Sequence, residues 1–338
     1  MKKKLLFVYN PNAGRALLKP CLSDVIDIFT KDNYFVTAYP TQKKGDALKV
    51  IEKSNDEGYD LIVCSGGDGT LSESITGLMK CENRPNLGYI PAGSTNDFAN
   101  SLKIPRNMVR AAENVIHGTP FAYDVGSLND RHFCYVAAFG AFTAVSYETP
   151  QTFKNIFGHL AYVLEGAKSL GKINSYKLKI EYDGNTIEDT FILGMITNTI
   201  SVGGILNLKK KGVLFDDGLF EVTLVRKPSN PIEWSAMITN LLAANTTKNT
   251  HLNAKYFYKF KTANLKITSE EKIAWTVDGE NGGSYTEMNI VNHKQAINII
   301  IPYSEIFEES AANLNSIDTA ADPEIEAVKS TYFDEQNS

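Results

Sequence analysis

The fold of the first part of the chain is decided by the stretch Ser65-Gly66-Gly67-Asp68-Gly69-Thr70. An apolar segment, residues 59–64, comes directly before it, and residues 70–80 follow with apolar side chains at helical spacing. This pattern predicts a buried strand, a tight turn and a helix. Glycines at such a turn let the backbone approach a ligand closely, and the N-terminus of the helix offers N–H groups that suit phosphate.

A simpler interpretation of the same stretch is a tight turn in which Asp68 caps the following helix. Three glycines around a single acid exceed what a cap requires. We therefore favour a phosphate-binding loop, although the stretch matches neither the P-loop nor the dinucleotide-binding fingerprint.

Two more loops of the same character follow apolar segments. Residues 5–9 lead into a loop at residues 10–14, and residues 87–90 lead into a loop at residues 91–99. Helical spacing at residues 17–29 and 47–54 makes strands and helices alternate, which predicts a three-layer α/β domain with a parallel sheet. Ligands bind such sheets at the carboxyl ends of the strands, where all three loops are expected.

From about residue 122 the pattern changes to short strands, rich in β-branched and aromatic residues and separated by turns. The strand-like segments are residues 176–182, 190–197, 219–225, 264–268 and 297–301, and the helical ones are residues 155–170 and 232–244. We predict a β-rich, sandwich-like second domain at residues 122–292. The α/β domain would be discontinuous, comprising residues 1–121 and about 293–338.

The composition narrows the classes of function. The hydrophobic fraction is 43% and the charged fraction 22%, as in ordinary globular proteins. Without an apolar run of membrane-spanning length or a convincing signal peptide, we expect a cytoplasmic protein. The net charge of −5 is concentrated in residues 305–338, which carry nine acidic residues and one lysine. The mildly basic remainder suits an anionic membrane, but it lacks the concentrated basic face of a nucleic-acid binder.

Two acidic stretches in the second half are candidates for chemistry. Phosphoryl transfer needs positioning, charge neutralisation and a base for the attacking hydroxyl, and Asp278-Gly279-Glu280 offers a base with an acidic neighbour. A hairpin turn is the alternative there, because Asp-Gly favours one. The stretch Asp216-Asp217-Gly218 is open in the same way between a turn and a functional site.

Together these motifs resemble the soluble bacterial diacylglycerol kinase family, which is related to the sphingosine and ceramide kinases. NAD kinases and phosphofructokinases are more distantly similar and share the Gly-Gly-Asp-Gly loop. The resemblance extends to about residue 301. The stretch Asn96-Asp97-Phe98-Ala99 and the late Asp278-Gly279-Glu280 favour the lipid kinases over the NAD kinases.

The resemblance implies a nucleotide site and a catalytic group. Glu280 would be the general base with Asp278 beside it, and Asp68 would act near the phosphates of ATP and magnesium. Lipid kinases commonly have Thr where this chain has Ser94, and Ser keeps the hydroxyl. The residues that would line the nucleotide site are Asn10, Pro11, Asn12, Ala13, Gly14, Thr41, Gly66, Gly67, Asp68, Gly69, Thr70, Glu73, Gly93, Ser94 and Asn96.

The resemblance also implies a structural magnesium ion. Its ligands would be the carboxylate of Asp217 and the backbone carbonyls of Leu214 and Leu219. Hard oxygen ligands of this kind, completed by water, suit Mg²⁺. A plain turn at these residues is compatible with the same sequence.

The implied activity is an ATP-dependent transfer of phosphate to a hydroxyl of diacylglycerol or a similar lipid, giving phosphatidic acid, with Mg²⁺ as cofactor. The enzyme would contact the inner face of the membrane peripherally, and the family suggests a homodimer. Two alternatives remain open. One is a kinase for NAD or another soluble alcohol, and the other is a non-catalytic protein that binds nucleotide or lipid. The presence of Asp68, Asp278 and Glu280 favours catalysis, because a degenerate kinase usually loses its acids.

Overall fold

The computed structural model describes residues 2–94, 96–140, 174–198, 215–246 and 255–302. The helix predicted at residues 155–170 and the acidic tail lie outside these ranges. Within the described ranges, no helix has the length and apolar character needed to cross a membrane.

The first domain alternates strands and helices. Its elements are β1 (Lys3–Tyr9), α1 (Leu22–Lys31), β2 (Tyr34–Pro40), α2 (Asp46–Lys53), β3 (Leu61–Gly66), α3 (Asp68–Met79), β4 (Asn86–Pro91), α4 (Asp97–Ser101) and α5 (Met108–His117). The four strands are parallel and lie in the order β4-β3-β1-β2. Their carboxyl ends therefore share one edge of the sheet, where the loops predicted to bind nucleotide begin.

Burial along these strands follows their places in the sheet. Strand β3 is buried over its whole length between β1 and β4, whereas β2 at the sheet edge is largely exposed. On one face α1 and α5 cover the sheet, and the ring of Phe29 meets that of Phe7 edge-on with centroids 5.8 Å apart. A continuously apolar β3 is the expected sequence of a strand covered on both faces.

The second part of the chain is built mainly from antiparallel strands. Its elements are β5 (Thr119–Leu128), β6 (Arg131–Phe133), β7 (Val136–Gly140), β8 (Tyr176–Tyr182), β9 (Asn185–Thr197), β10 (Phe220–Arg226), α6 (Pro231–Thr246), β11 (Phe257–Thr262), β12 (Asn264–Val277) and β13 (Glu280–Ile301). The long strands β9 and β12 each pair with both β7 and β8. Their inner faces enclose a core centred on Trp275, whose ring lies 4.9 Å from that of Phe139.

Strand β13 links the two parts. It begins at Glu280, directly after the turn at Asp278-Gly279. Near its other end Ile299 pairs with Leu87 in a parallel register with β4, and residues 297–301 pair antiparallel with β5. One strand thus carries the predicted base and also joins the sheet of the first domain.

The predicted fold class, an α/β domain followed by a β-rich domain, is confirmed. Helix α1 begins later than predicted, because residues 19–21 form a 3-10 turn that contains Pro20. Strand β2 and helix α5 were not predicted, and the segments predicted at residues 264–268 and 297–301 are parts of the much longer β12 and β13. The domain boundaries at residues 121 and 293 stay a prediction.

Candidate active site

Three loops begin side by side at the carboxyl edge of the parallel sheet. Backbone hydrogen bonds continue the ladder just past the strand ends. The N–H of Asn10 donates to the carbonyl of Ser65, that of Ala92 to Gly66, and that of Thr41 to Tyr9, each at 2.8 Å. The loops predicted from sequence as parts of one site are therefore neighbours in the fold.

Glycines are required where these loops touch. Gly14 has a φ of +54°, and a Cβ built on it would overlap the carbonyl oxygen of Ala92. A Cβ on Gly93 would lie 2.7 Å from the Cα of Gly67, so the second and third loops meet backbone to backbone. Side chains at these positions would push the loops apart, which explains why the sequence repeats glycine there.

The side chain of Asn96 shapes the third loop. This residue is buried and has a φ of +52°. Its amide oxygen accepts the N–H of Gly93 at 2.9 Å, and its amide nitrogen donates to the carbonyl of Gly93 at 2.7 Å. Asn96 therefore closes a tight turn that leaves Ser94 exposed at its tip, and its amide group is already occupied.

The second loop opens helix α3. Gly67 is the N-cap residue and supplies no side-chain cap, and Asp68 is the first residue inside the helix. The interpretation of Asp68 as the cap is therefore wrong. Behind the loop, the hydroxyl of Tyr89 donates to the carbonyl of Gly66 at 3.1 Å. Burial raises the pKa of Tyr89 well above its usual range, and the nearby charge of Asp68 adds to this shift.

Glu280 reaches the second loop from β13. A Cβ on Gly69 would lie 2.9 Å from its Oε1, so the glycine leaves room for the carboxylate. The other oxygen, Oε2, forms an ion pair with the Nζ of Lys44 at 2.5 Å. The side chain of Glu280 is 44% exposed, which leaves it accessible to a substrate at this edge.

Glu73 supports the loop that follows β2. Its Oε1 accepts the N–H of Gly45 at 2.7 Å. Burial raises the pKa of Glu73, while hydrogen bonds from the N–H groups of Gly45 and Ala47 lower it and the charge of Glu280 raises it. Glu73 was predicted to line the nucleotide site, and its observed contact joins α3 to the neighbouring loop.

Asp278 is a buried hydrogen-bond acceptor. Its Oδ2 accepts the N–H of Cys134 at 2.7 Å, and its Oδ1 accepts those of Tyr135 and Val136 at 3.0 Å each. Burial raises the pKa of Asp278 to about 6, and these hydrogen bonds oppose the rise. The carboxylate ties the turn before Glu280 to the start of β7.

Asp124 is a further buried acid that the sequence reasoning missed. Its Oδ1 accepts the N–H of Gln295 and its Oδ2 that of Gly218, both at 2.6 Å. Burial raises its pKa, and the charges of Asp217 and Asp216 raise it further. A carboxylate within a mainly apolar strand is the signal that could have indicated it.

The stretch predicted to hold structural magnesium is described only in part, because Leu214 lies outside the described residues. The Oδ1 of Asp217 accepts the N–H of Leu219 at 2.9 Å, so a turn is present. Its Oδ2 lies 3.5 Å from the Nζ of Lys261, which also pairs with Glu221 at 3.0 Å. Among the described residues, no group of three or more His, Cys, Asp or Glu is arranged to hold a metal ion.

Comparison with known proteins identifies the family. Residues 4–128 match the family model described as the diacylglycerol kinase catalytic domain, and residues 136–301 match the YegS C-terminal NAD kinase beta sandwich-like domain. Curated proteins named diacylglycerol kinase from Staphylococcus aureus strains JH9 and Newman are each 36% identical over 318 residues, covering 94% of this chain and 98% of each relative. The chain belongs to the diacylglycerol kinase family.

Solved structures agree with this membership. A structure described as that of a diacylglycerol kinase from Bacillus anthracis str. Sterne has a TM-score of 0.66 and 26% identity, covering 89% of this chain and 97% of that one. A second crystal structure from the same organism has a TM-score of 0.70 and 26% identity, covering 89% and 98%. The family resemblance is thus confirmed, and this diacylglycerol kinase family member is a phosphotransferase with an alcohol acceptor. Its family implies a lipid substrate, the use of ATP and typically a divalent metal.

Proposed function

We propose that this enzyme transfers the γ-phosphoryl group of Mg-ATP to the free hydroxyl of diacylglycerol and produces phosphatidic acid. The observation that carries the proposal is the place of Glu280, whose carboxylate reaches Gly69 at the opening of α3. A carboxylate there stands beside the N–H groups that suit a phosphate. An acceptor hydroxyl between the two would meet both the base and the phosphoryl group.

In the proposed reaction, the hydroxyl oxygen of the lipid bonds to the γ-phosphorus as the bond from that phosphorus to the β,γ-bridging oxygen breaks. ADP departs, and the hydroxyl proton passes to the carboxylate of Glu280. The protein's contribution is positioning, charge stabilisation and proton acceptance, which is the usual division of labour in phosphoryl transfer.

The three glycine loops would hold the nucleotide through backbone N–H groups. Gly14, Gly67 and Gly93 keep the backbones close enough to enclose a phosphate chain. Asp68, at the first position of α3, is the carboxylate that we propose for Mg²⁺, because hard oxygen ligands suit that ion. When bound, the ion would neutralise phosphate charge.

Asp278 would act on Glu280 through the backbone. Its three N–H partners hold the turn that leads into β13, and this turn determines where Glu280 stands. We therefore propose Asp278 as a positioning residue and Glu280 as the base.

The proposal is tested by measuring phosphate transfer from γ-labelled ATP to diacylglycerol in mixed micelles. Phosphatidylglycerol, a sphingoid base and NAD serve as comparison acceptors. We expect labelled phosphatidic acid, and its loss in Glu280→Gln. Labelled NAD without labelled lipid would instead favour an NAD kinase, the alternative suggested by the description of the matched C-terminal domain. Nucleotide binding without any product would favour a non-catalytic binding protein.

A lipid substrate requires contact with a membrane surface, and we propose that this contact is peripheral, at the cytoplasmic face. The mildly basic charge of residues 1–304 supports attraction to anionic lipid. Co-sedimentation with vesicles of phosphatidylglycerol should exceed that with vesicles of neutral phosphatidylcholine and weaken as salt rises. Equal binding to both would contradict the electrostatic contact. The homodimer stays a prediction, and analytical ultracentrifugation would test it.

A further inference from the structure

Lys44 forms an ion pair with Glu280, the residue proposed as the general base. The Nζ of Lys44 lies 2.5 Å from Oε2 of Glu280, while the lysine side chain remains 74% exposed. The two residues come from different parts of the fold, the loop after β2 and the start of β13. Exposed ion pairs contribute little to the stability of proteins. We therefore consider a functional role for this pair.

The loop that carries Lys44 is held in place by two acidic side chains. The Oδ2 of Asp46 accepts the N–H groups of Gln42 and Lys43 at 2.8 and 3.0 Å. The Oε1 of Glu73 accepts the N–H of Gly45 at 2.7 Å. The backbone around Lys44 is therefore fixed on both sides, and the long side chain is the part that can change partner.

Two anions would compete for this ammonium group once nucleotide binds. One is the carboxylate of Glu280 beside Gly69, and the other is the phosphate chain of ATP at the opening of α3. A carboxylate oxygen that is engaged by an ammonium group is poorly placed to receive a proton from a substrate hydroxyl. The compact, flexible lysine head can move between two neighbouring acceptors.

We propose that Lys44 is a phosphate-binding residue that Glu280 holds until nucleotide arrives. On binding of ATP its ammonium moves to the phosphate chain, and this movement frees the Glu280 carboxylate for the acceptor hydroxyl. The inference rests on the proposed function, since it takes the carboxyl edge as the ATP site and Glu280 as the base. It adds an order of events to the proposed reaction: ATP binds first, and the acceptor hydroxyl is activated afterwards.

The exchange predicts coupled effects on nucleotide affinity, which can be measured without turnover. The probe is the non-hydrolysable analogue adenylyl imidodiphosphate with Mg²⁺, titrated by calorimetry. Lys44→Ala should weaken binding about tenfold, through loss of one charge-assisted hydrogen bond. Glu280→Gln should tighten binding several-fold, because the ammonium is no longer held elsewhere. In the double variant this tightening should disappear.

The double variant distinguishes exchange of Lys44 between two anions from simple repulsion of the phosphates by Glu280. If Glu280 only repels the phosphates, Glu280→Gln will tighten binding equally with and without Lys44, and additive effects of this kind would overturn the inference. Lys44→Arg should restore most of the affinity. The control is Lys43→Ala, which removes the neighbouring lysine charge and keeps its backbone N–H on Asp46.

The lipid assay then distinguishes failure of the inference from failure of the proposed function. Lys44→Ala should lower kcat as well as raise the KM for ATP, whereas Lys43→Ala should change neither by more than about twofold. If the wild type labels diacylglycerol and Lys44→Ala matches it in both constants, the inference is wrong and the function stands. If the affinities are coupled as predicted and no lipid is labelled, the exchange stands and the proposed substrate is wrong.

Discussion

Glu280 and two buried acids of this fold have opposite surroundings. Glu280, at the carboxyl edge of the sheet, is half-exposed and pairs with the exposed ammonium group of Lys44. Asp124 and Asp278, which we call the buried acids, have little or no exposure, and backbone N–H groups occupy their oxygens. An acid near an active site can accept a proton from a substrate only if a substrate can reach one of its oxygens, a condition that Glu280 meets and the buried acids do not.

The same contrast separates two ways of building the site. The carboxyl edge is made by backbones that approach one another at Gly14, Gly67 and Gly93. Asp278 holds residues 134–136 to the turn before β13, and Asp124 holds Gly218 and Gln295 to β5. Changes at the edge should therefore alter catalysis, and changes at the buried acids should alter stability.

The largest expected effect is on catalysis. Glu280→Gln should lower kcat for lipid phosphorylation by about a hundredfold to ten-thousandfold, the range for loss of a general base, and should leave the unfolding free energy nearly unchanged. Glu287→Gln is the matched control, because Glu287 is exposed on the same strand and pairs with Lys266 at 2.7 Å. Equal losses in the two variants would contradict the assignment of the base.

The next effect is on stability. Asp124→Ala removes the acceptor of two N–H groups, a buried one on Gly218 and a partly buried one on Gln295. At about 2 kcal/mol for the buried group and less for the partly buried one, the unfolding free energy should fall by about 3 kcal/mol in urea titrations. The control is Asp130→Ala, an exposed residue of the turn between β5 and β6, which should cost less than about 0.5 kcal/mol. An Asp124→Ala variant as stable as the wild type would contradict the structural role that we assign to the buried acids.

The third effect is a pH dependence of stability. Burial raises the pKa of Asp278 from 3.8 to about 6 in the folded protein, so the folded state holds this proton more tightly than the unfolded chain. The contribution of protonated Asp278 to the unfolding free energy is complete below the pKa of the unfolded chain. It is lost as the pH rises through the pKa of the folded protein. The total change is about 3 kcal/mol.

Asp278→Asn cannot titrate and isolates this contribution. The difference in unfolding free energy between wild type and Asp278→Asn should shift by about 3 kcal/mol between pH 3.5 and pH 7, against the wild type at the higher pH. Other titrating groups are common to both proteins and cancel. A difference that does not vary with pH would show that Asp278 has an ordinary pKa.

Much of the fold and part of the site could be predicted because their signals are local. Glycines next to apolar strands marked the loops at residues 10–14, 66–70 and 93–96, and all three lie at the predicted edge. Strand β2 was missed because an exposed edge strand lacks the continuous apolar run that marked β3. Helix α5 was missed too, although its apolar residues have helical spacing.

The rest depended on contacts between residues far apart in sequence. Nothing near Lys44 indicates that it meets Glu280, and the three N–H partners of Asp278 come from residues 134–136. In the sequence, Asp278 and Glu280 are two acidic residues separated by one glycine, and nothing there distinguishes their surroundings. Their different surroundings arise from burial, which only the folded chain determines.

The smallest expected effect tests the close approach of the loops themselves. Gly14→Ala places a side chain at a φ of +54° and against the carbonyl oxygen of Ala92. It should cost about 2 kcal/mol of stability, from backbone strain and overpacking together, and weaken binding of nucleotide. Gly58→Ala is the matched control, because Gly58 also has a positive φ, +67°, but nothing lies within 4 Å of its added Cβ. That variant should cost about 1 kcal/mol, the conformational strain alone, and leave nucleotide binding unchanged. The difference between the two isolates the contact between the first and third loops. Equal costs together with unchanged nucleotide binding in both variants would mean that the first loop does not need this approach.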